Sequence, residues 1–216
     1  MEKKFELTDK FVFNTFGIKL FQIKCTKSFK YAKEGDLGGY VEKDENLDQE
    51  SDAWVSGNAQ VSGNAQVYGD AQVSGDAWVS GNAQVSGNAQ VSGDAWVYGN
   101  ARVYGNARVY GDAWVYGDAW VSGDAQVSGD AWVSGDADIE NDNNHCGFDC
   151  FGSCNRHTHA YLTKDNKVEI TCGRFRGSIE EFEKKVEKTH SGTIYEKQYK
   201  AIINVIKIKF GLTDLI

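Results

Sequence analysis

The sequence predicts an all-β solenoid with three short strands per coil, and three observations carry that expectation. From Ala53 to Asp136 the chain is fourteen consecutive units of the form A-x-V-[SY]-G-[ND], without one insertion. Self-similarity of this kind marks a stacked-repeat architecture. Within a unit the residues alternate, with Ala in, x out, Val in and Ser or Tyr out, which is the period of a strand with one buried face. Finally, Trp78, Trp96, Trp114 and Trp132 stand eighteen residues apart, so three units close one coil and the four Trp share one outer face.

Each unit supplies one strand and one corner of a triangular prism. Gly tolerates positive φ at the corner, and the Asp or Asn after it hydrogen-bonds the turn. Asp76, Asp94, Asp112 and Asp130 follow the same eighteen-residue rule and stack along the corner leading into the Trp face. Fourteen units give between four and five coils plus capping turns, a prism roughly 20–25 Å long at ~4.8 Å per coil. A core of Val and Ala is thin, so continuous ladders and covered ends must supply much of the stability.

Three regions follow. Residues 1–36 read as a small N-terminal β cap, in which "KFVFNTFGIKLFQIK" alternates around a turn at Asn14–Gly17. Residues 37–141 form the repeat solenoid. Residues 142–216 form a C-terminal α+β module: "HAYLTKDNKVEITC" reads as a hairpin turning at Lys164–Lys167. Ser178 and Glu181 make a capping box, opening a helix that buries Ile179, Phe182 and Val186. Gly192 ends it. Thr193 and Glu196 open a second helix with the stripe Tyr195, Tyr199, Ile202, Ile206 and Phe210.

The formal net charge is −8, and the repeat itself holds eight Asp, two Arg and no Lys. A nucleic-acid backbone is therefore not expected as a partner, because phosphate binding needs clustered cations. "MEKKFELTDK" is followed by no apolar leader, and no apolar run reaches membrane-spanning length, so no membrane partner is expected. Five Cys, an odd number, fit a reducing cytoplasm with free thiols.

The units resemble the hexapeptide repeat of left-handed parallel β-helix proteins, and the handedness comes from that resemblance. Three flanking stretches carry a narrower one: "EGDLGGYVEKDENL" (Glu34–Leu47), "GSCNRHTHAY" (Gly152–Tyr161) and "CGRFRGSIEEFEKKVEKTH" (Cys172–His190). Together with the coils they are similar to a family of phage- and prophage-encoded, polymer-forming or cytoskeletal-like hexapeptide-repeat proteins of unestablished activity. Arg174 departs from that pattern where Cys is frequent, and His159 where Thr is usual. The resemblance implies a left-handed β-helix, three-fold self-association and a setting in the cytoplasm of a bacterial host.

The Trp ladder has three readings: a homotrimer interface, a strip that meets a partner or stacks a ligand, or passive copying by duplication. The Asp ladder either holds Ca²⁺ between coils or accepts backbone N–H bonds at its own corners. "HCGFDCFGSCNRHTH" brings Cys146, Cys150, Cys154, His145, His157 and His159 together in the sequence, but C-x3-C-x3-C is not a common zinc spacing. No metal or cofactor is expected. Asn155, Arg156, Arg174 and Arg176 are candidate contacts for an anionic ligand. Hexapeptide acyltransferases and β-helical carbonic anhydrases need His on or near the coils, and Ala53–Asp136 contains none. With no nucleophile–base pair in view, the expectation is a non-enzymatic solenoid that self-associates and binds a partner, a host protein during infection. The alternative is capture of a nucleotide-like signal, and a degenerate hexapeptide acyltransferase is the weaker one.

Overall fold

The computed structural model describes residues 3–212. β1 (Phe5–Phe13) and β2 (Lys19–Cys25) form an antiparallel hairpin. Asn14 builds its turn: Oδ1 accepts the N–H of Phe16 at 3.0 Å and of Ile18 at 2.9 Å. β3 (Leu37–Val41) pairs antiparallel with β2 on one side and parallel with Gln60–Val61 on the other. The hairpin thus runs without a break into one face of the solenoid.

Fifteen two-residue strands follow, from β4 (Trp54–Val55) to β18 (Asp138–Ile139). They stack as three parallel sheets, in each of which a residue pairs with its equivalent one coil on, as Trp96 with Trp114 and Val97 with Val115. Every Ala and Val of the fourteen units is buried, as the alternation requires. Each corner is a tight turn. At one of them, Ala89 N–H donates to the Ser86 carbonyl at 3.3 Å. The corner Gly is needed twice over. Gly93 has φ 69°, and a Cβ there would stand 2.9 Å from Gly111 N, because the coils stack corner on corner.

The solenoid has about six turns, more than the regular units alone supply. Tyr40–Val41, Leu47 and Asp138–Ile139 occupy strand positions without matching the repeat. A stacked strand asks only for an inward apolar residue and a closed corner. Before the repeat, the corner is closed by a 3₁₀ turn at Asp44–Asn46, where Asn46 Nδ2 donates to the carbonyls of Gly63 and Ala65 at 3.1 and 2.9 Å.

Both ends are covered. At the first coil, buried Lys4 donates from Nζ to the carbonyls of Ser51 and Ala53 at 2.7 and 2.8 Å. Burial pulls its pKa down to about 8. At the last coil sits a four-stranded antiparallel sheet: β19 (His145–Phe151), β20 (Arg156–Leu162), β21 (Val168–Cys172) and β22 (Phe175–Ser178). Alternation along β20 gives this sheet two roles. Tyr161 joins the Ala–Val core of the coils, while Ala160 packs with Ile170, Phe182 and Ile202. That second cluster is built with α1 (Ile179–His190) and α2 (Ile194–Lys209). Both helices begin at the expected caps: Ser178 Oγ accepts Glu181 N–H at 3.3 Å, and Thr193 Oγ1 accepts Glu196 N–H at 3.4 Å.

Candidate functional site

The four periodic Trp form one stack. Ring centroids are 4.7 Å apart for Trp78–Trp96, 4.9 Å for Trp96–Trp114 and 5.4 Å for Trp114–Trp132, with planes within 16° of parallel. The spacing follows the strand-to-strand rise of the coils. Trp96 and Trp114 have a neighbouring ring on each face, so this strip presents ring edges outward. A ligand that stacks on an open aromatic face therefore has no seat along its middle. All four rings are half-buried. At the near end the hairpin tip reaches over the ladder, with Phe16 edge-on to Trp78 at 6.0 Å. Phe16 is 71% exposed, and it extends the apolar strip beyond the coils.

The two Trp outside this period are treated differently. Trp54 is only 5% exposed and stands against Phe29 at 5.4 Å. Trp120 carries Lys164 Nζ at 4.4 Å and the Arg102 guanidinium at 5.3 Å from its ring. Trp54 is thus covered by the chain itself, whereas Trp120 and the four ladder rings are all half-buried, the ladder being met by Phe16 at one end and by Asn155 and Arg156 at the other.

Beside the ladder runs the Asp column. Asn58 Nδ2 donates to Asp76 Oδ1 at 3.0 Å. Beyond Asp76, no hydrogen bond joins Asp94, Asp112 and Asp130 to one another among the described residues, because facing carboxylates have no proton to share. Another corner shows the contrast: Asn64, Asn82 and Asn100 hand an amide hydrogen bond from coil to coil at 3.2, 3.0 and 2.9 Å, ending on Asp118. No cluster of three or more His, Cys, Asp or Glu side chains able to hold a metal ion occurs among the described residues.

That statement includes the Cys/His segment. Cys150 and Cys154 are exposed, while Cys146 is partly buried and its thiol is pushed up to about 11 by burial. His157 is turned to Asp149, Nδ1 to Oδ1 at 2.5 Å. His159 is fully buried with Nε2 at 2.9 Å from His145 Nδ1. Burial, then the neighbouring His145 and His157, hold His159 well below the usual histidine range.

The anion candidates separate. Arg176 is committed: Nε donates to Glu169 Oε1 at 2.6 Å, and that same oxygen accepts the Tyr161 hydroxyl at 2.7 Å. The Glu169 hydrogen bond raises its pKa, and it serves the cover of the last coil. Asn155 and Arg156 meet the far end of the Trp ladder, lining with Trp114, Trp132, Asp112 and Asp130 a hollow of about 410 Å³. Arg156 also lines a neighbouring cleft of about 460 Å³ together with Arg174. Tyr199 of that cleft was expected only as part of the second helix's apolar stripe, and Lys185 and His190 were not singled out from the sequence. These two lie on a helix where only their apolar neighbours show a period.

A continuous parallel solenoid of six-residue units, plugged at both ends, defines a repeat β-solenoid protein. Comparison with protein families agrees: the YdcK beta solenoid repeat matches at residues 65–81, 71–87, 83–99, 89–105, 95–108, 101–117 and 107–123. The match lies wholly within the coils. No curated protein matches the chain. No helix among the described residues is long and apolar enough to cross a membrane.

Proposed function

We propose that the protein is a non-enzymatic assembly and binding solenoid whose copies associate along the Trp face, as a trimer. The carrying observation is the ladder itself, four stacked and half-buried Trp whose ring edges face outward between the hairpin tip and the C-terminal module. Burying one Trp contributes on the order of 2–3 kcal/mol, and a contiguous apolar stripe on a soluble surface marks an interaction site. Because the inner rings already cover one another's faces, the strip suits a flat protein contact better than a planar ligand. Three-fold association is what the resemblance of the coils to left-handed β-helix proteins implies. The resemblance of the flanking segments supports a phage- or prophage-encoded role in the cytoplasm of a bacterial host, with a host protein as partner for the surfaces left outside the seam.

Solution mass by light scattering tests the seam, on the wild type and on a variant carrying Trp96→Gln and Trp114→Gln. A trimeric wild type and a monomeric, folded variant support the reading. Equal masses overturn it, and the Trp face then becomes the first place to seek a different protein.

A further inference from the structure

The cleft between the C-terminal sheet and its helices is a different kind of surface. Its cations come from three elements: Arg156 from the start of β20, Arg174 from the turn after β21, and Lys185 from α1. None of the three makes an ion pair or a side-chain hydrogen bond among the described residues. Among the described residues no Asp or Glu lines the cleft, although acidic residues outnumber basic ones 31 to 23 in the chain. Three unpaired cations converging on one hollow repel one another unless an anion joins them. In the same module, Lys207 is paired with Glu183 at 2.7 Å and Arg176 with Glu169 at 2.6 Å.

The floor of the cleft is aromatic and close-packed, with Phe182 and Tyr199 3% and 6% exposed. Phe175 and Phe182 meet at 5.0 Å, Phe182 meets Tyr199 edge-on at 5.6 Å, and His190 lies over Tyr199 at 5.5 Å. Two glycines let the rim approach this floor. Gly152 sits against the Tyr199 ring, where a Cβ would collide with the hydroxyl, and its N–H donates to Gln198 Oε1 at 3.1 Å. Gly173, at φ 58°, lies so close to Arg156 that a Cβ would come within 2.7 Å of Nη1. The Arg156 guanidinium thus lies beside a backbone turn. A volume of about 460 Å³ falls in the range of small-molecule sites, ~300–1,000 Å³.

We infer that this cleft binds a small organic phosphate, its phosphate held by Arg156, Arg174 and Lys185 and its ring or apolar portion seated against Phe175, Phe182 and Tyr199. Guanidinium groups match phosphate oxygens in pairs, and Lys adds a point charge. Arg156 also borders the far end of the Trp ladder, but Arg174 and Lys185 do not, so variants at these two leave the seam untouched and either reading can fail alone.

Titration calorimetry on the full chain tests it, with adenosine 5′-monophosphate, ribose 5-phosphate, adenosine and inorganic phosphate as probes. The mononucleotide is expected to bind, with adenosine and inorganic phosphate each at least about tenfold weaker, since each lacks one half of the contacts. Arg174→Gln and Lys185→Gln, both exposed positions, should each weaken binding about tenfold or more while leaving the thermal unfolding midpoint in place. Ribose 5-phosphate binding as tightly as the mononucleotide keeps the phosphate subsite and removes the base from the floor. No heat from any phosphate probe at millimolar concentration overturns the proposal. So does affinity that is unchanged in both variants.

Discussion

The hydroxyl of Tyr161 donates to Glu169 at 2.7 Å while its ring lies wholly inside the core of the coils. One side chain therefore ties the C-terminal sheet to the last coil. Ser134, also fully buried, stands 3.3 Å from the same hydroxyl. Tyr161→Ala is expected to cost about 3–5 kcal/mol, because an aromatic ring leaves a well-packed core. Tyr161→Phe is expected to cost about 1–2 kcal/mol through the lost hydrogen bonds. Denaturant unfolding measures both, and hydrogen exchange should show the loss concentrated at residues 131–139.

Acid should weaken the same junction. His159 is fully buried and its pKa lies well below 6.5, and burial also lowers that of His145 beside it. The folded state therefore binds fewer protons than the unfolded chain once pH drops below about 6.5. Stability is complete above that pH and falls as pH decreases toward the folded-state values, with a slope of about 1.4 kcal/mol per pH unit from His159 alone. Unfolding free energy measured between pH 7.5 and 5 should show this slope, and His159→Gln should flatten it. An unchanged slope in the variant would assign the acid sensitivity to other groups.

The Asp column is a place where stability has been forgone. Asp94→Asn with Asp112→Asn creates an amide chain that ends on Asp130, like the one that runs from Asn64 to Asp118. We expect a gain of about 0.5–1 kcal/mol per exchange, from a new hydrogen bond and one fewer facing pair of carboxylates. A rise of several degrees in the thermal midpoint is the readout, and a fall would mean that amides at this corner do not line up as they do in the Asn64–Asn100 column.

Corner glycines separate two costs. Gly93→Ala must accept both a positive φ and a collision with Gly111 of the next coil, whereas Gly129 has φ 63° and open space around its missing Cβ. Gly129→Ala is expected to cost about 1 kcal/mol from backbone strain alone. Gly93→Ala should cost clearly more, about 2 kcal/mol or above. Equal effects in chemical denaturation would show that the coils relax around an added methyl.

How far the sequence could be read follows from where a period exists. Ala, Val, Gly and the Trp at every third unit each have one role in every coil, so repetition exposes the strand, the corner and the shared face. The ends have no such repetition. Nothing in the letters around Lys4 says that an ammonium will close the first coil, or that Asn46 will stand in for a corner. β19 and β22 escaped notice because "HCGFDCF" and "FRGS" lack a clean alternation, whereas β20 and β21 flank a recognisable turn. Helix caps were legible at Ser178 and Thr193, since capping chemistry is local. The meeting of Arg156 with Arg174 and Lys185 was not, because it depends on how a sheet and a helix pack.

The two plugs also make the rod a ruler. Each cover is shaped to one end of the stack and contacts the coils in a fixed azimuth, so the distance between them can change only in whole coils. A genetic insertion or deletion of eighteen residues, such as the interval from Trp78 to Trp96, would shift one end by ~4.8 Å and leave every column aligned. A change of six residues would turn the C-terminal cover about a third of a revolution and carry the tryptophans out of line. Length in this molecule therefore evolves in steps of one coil, and the number of steps sets how far apart its two ends can work.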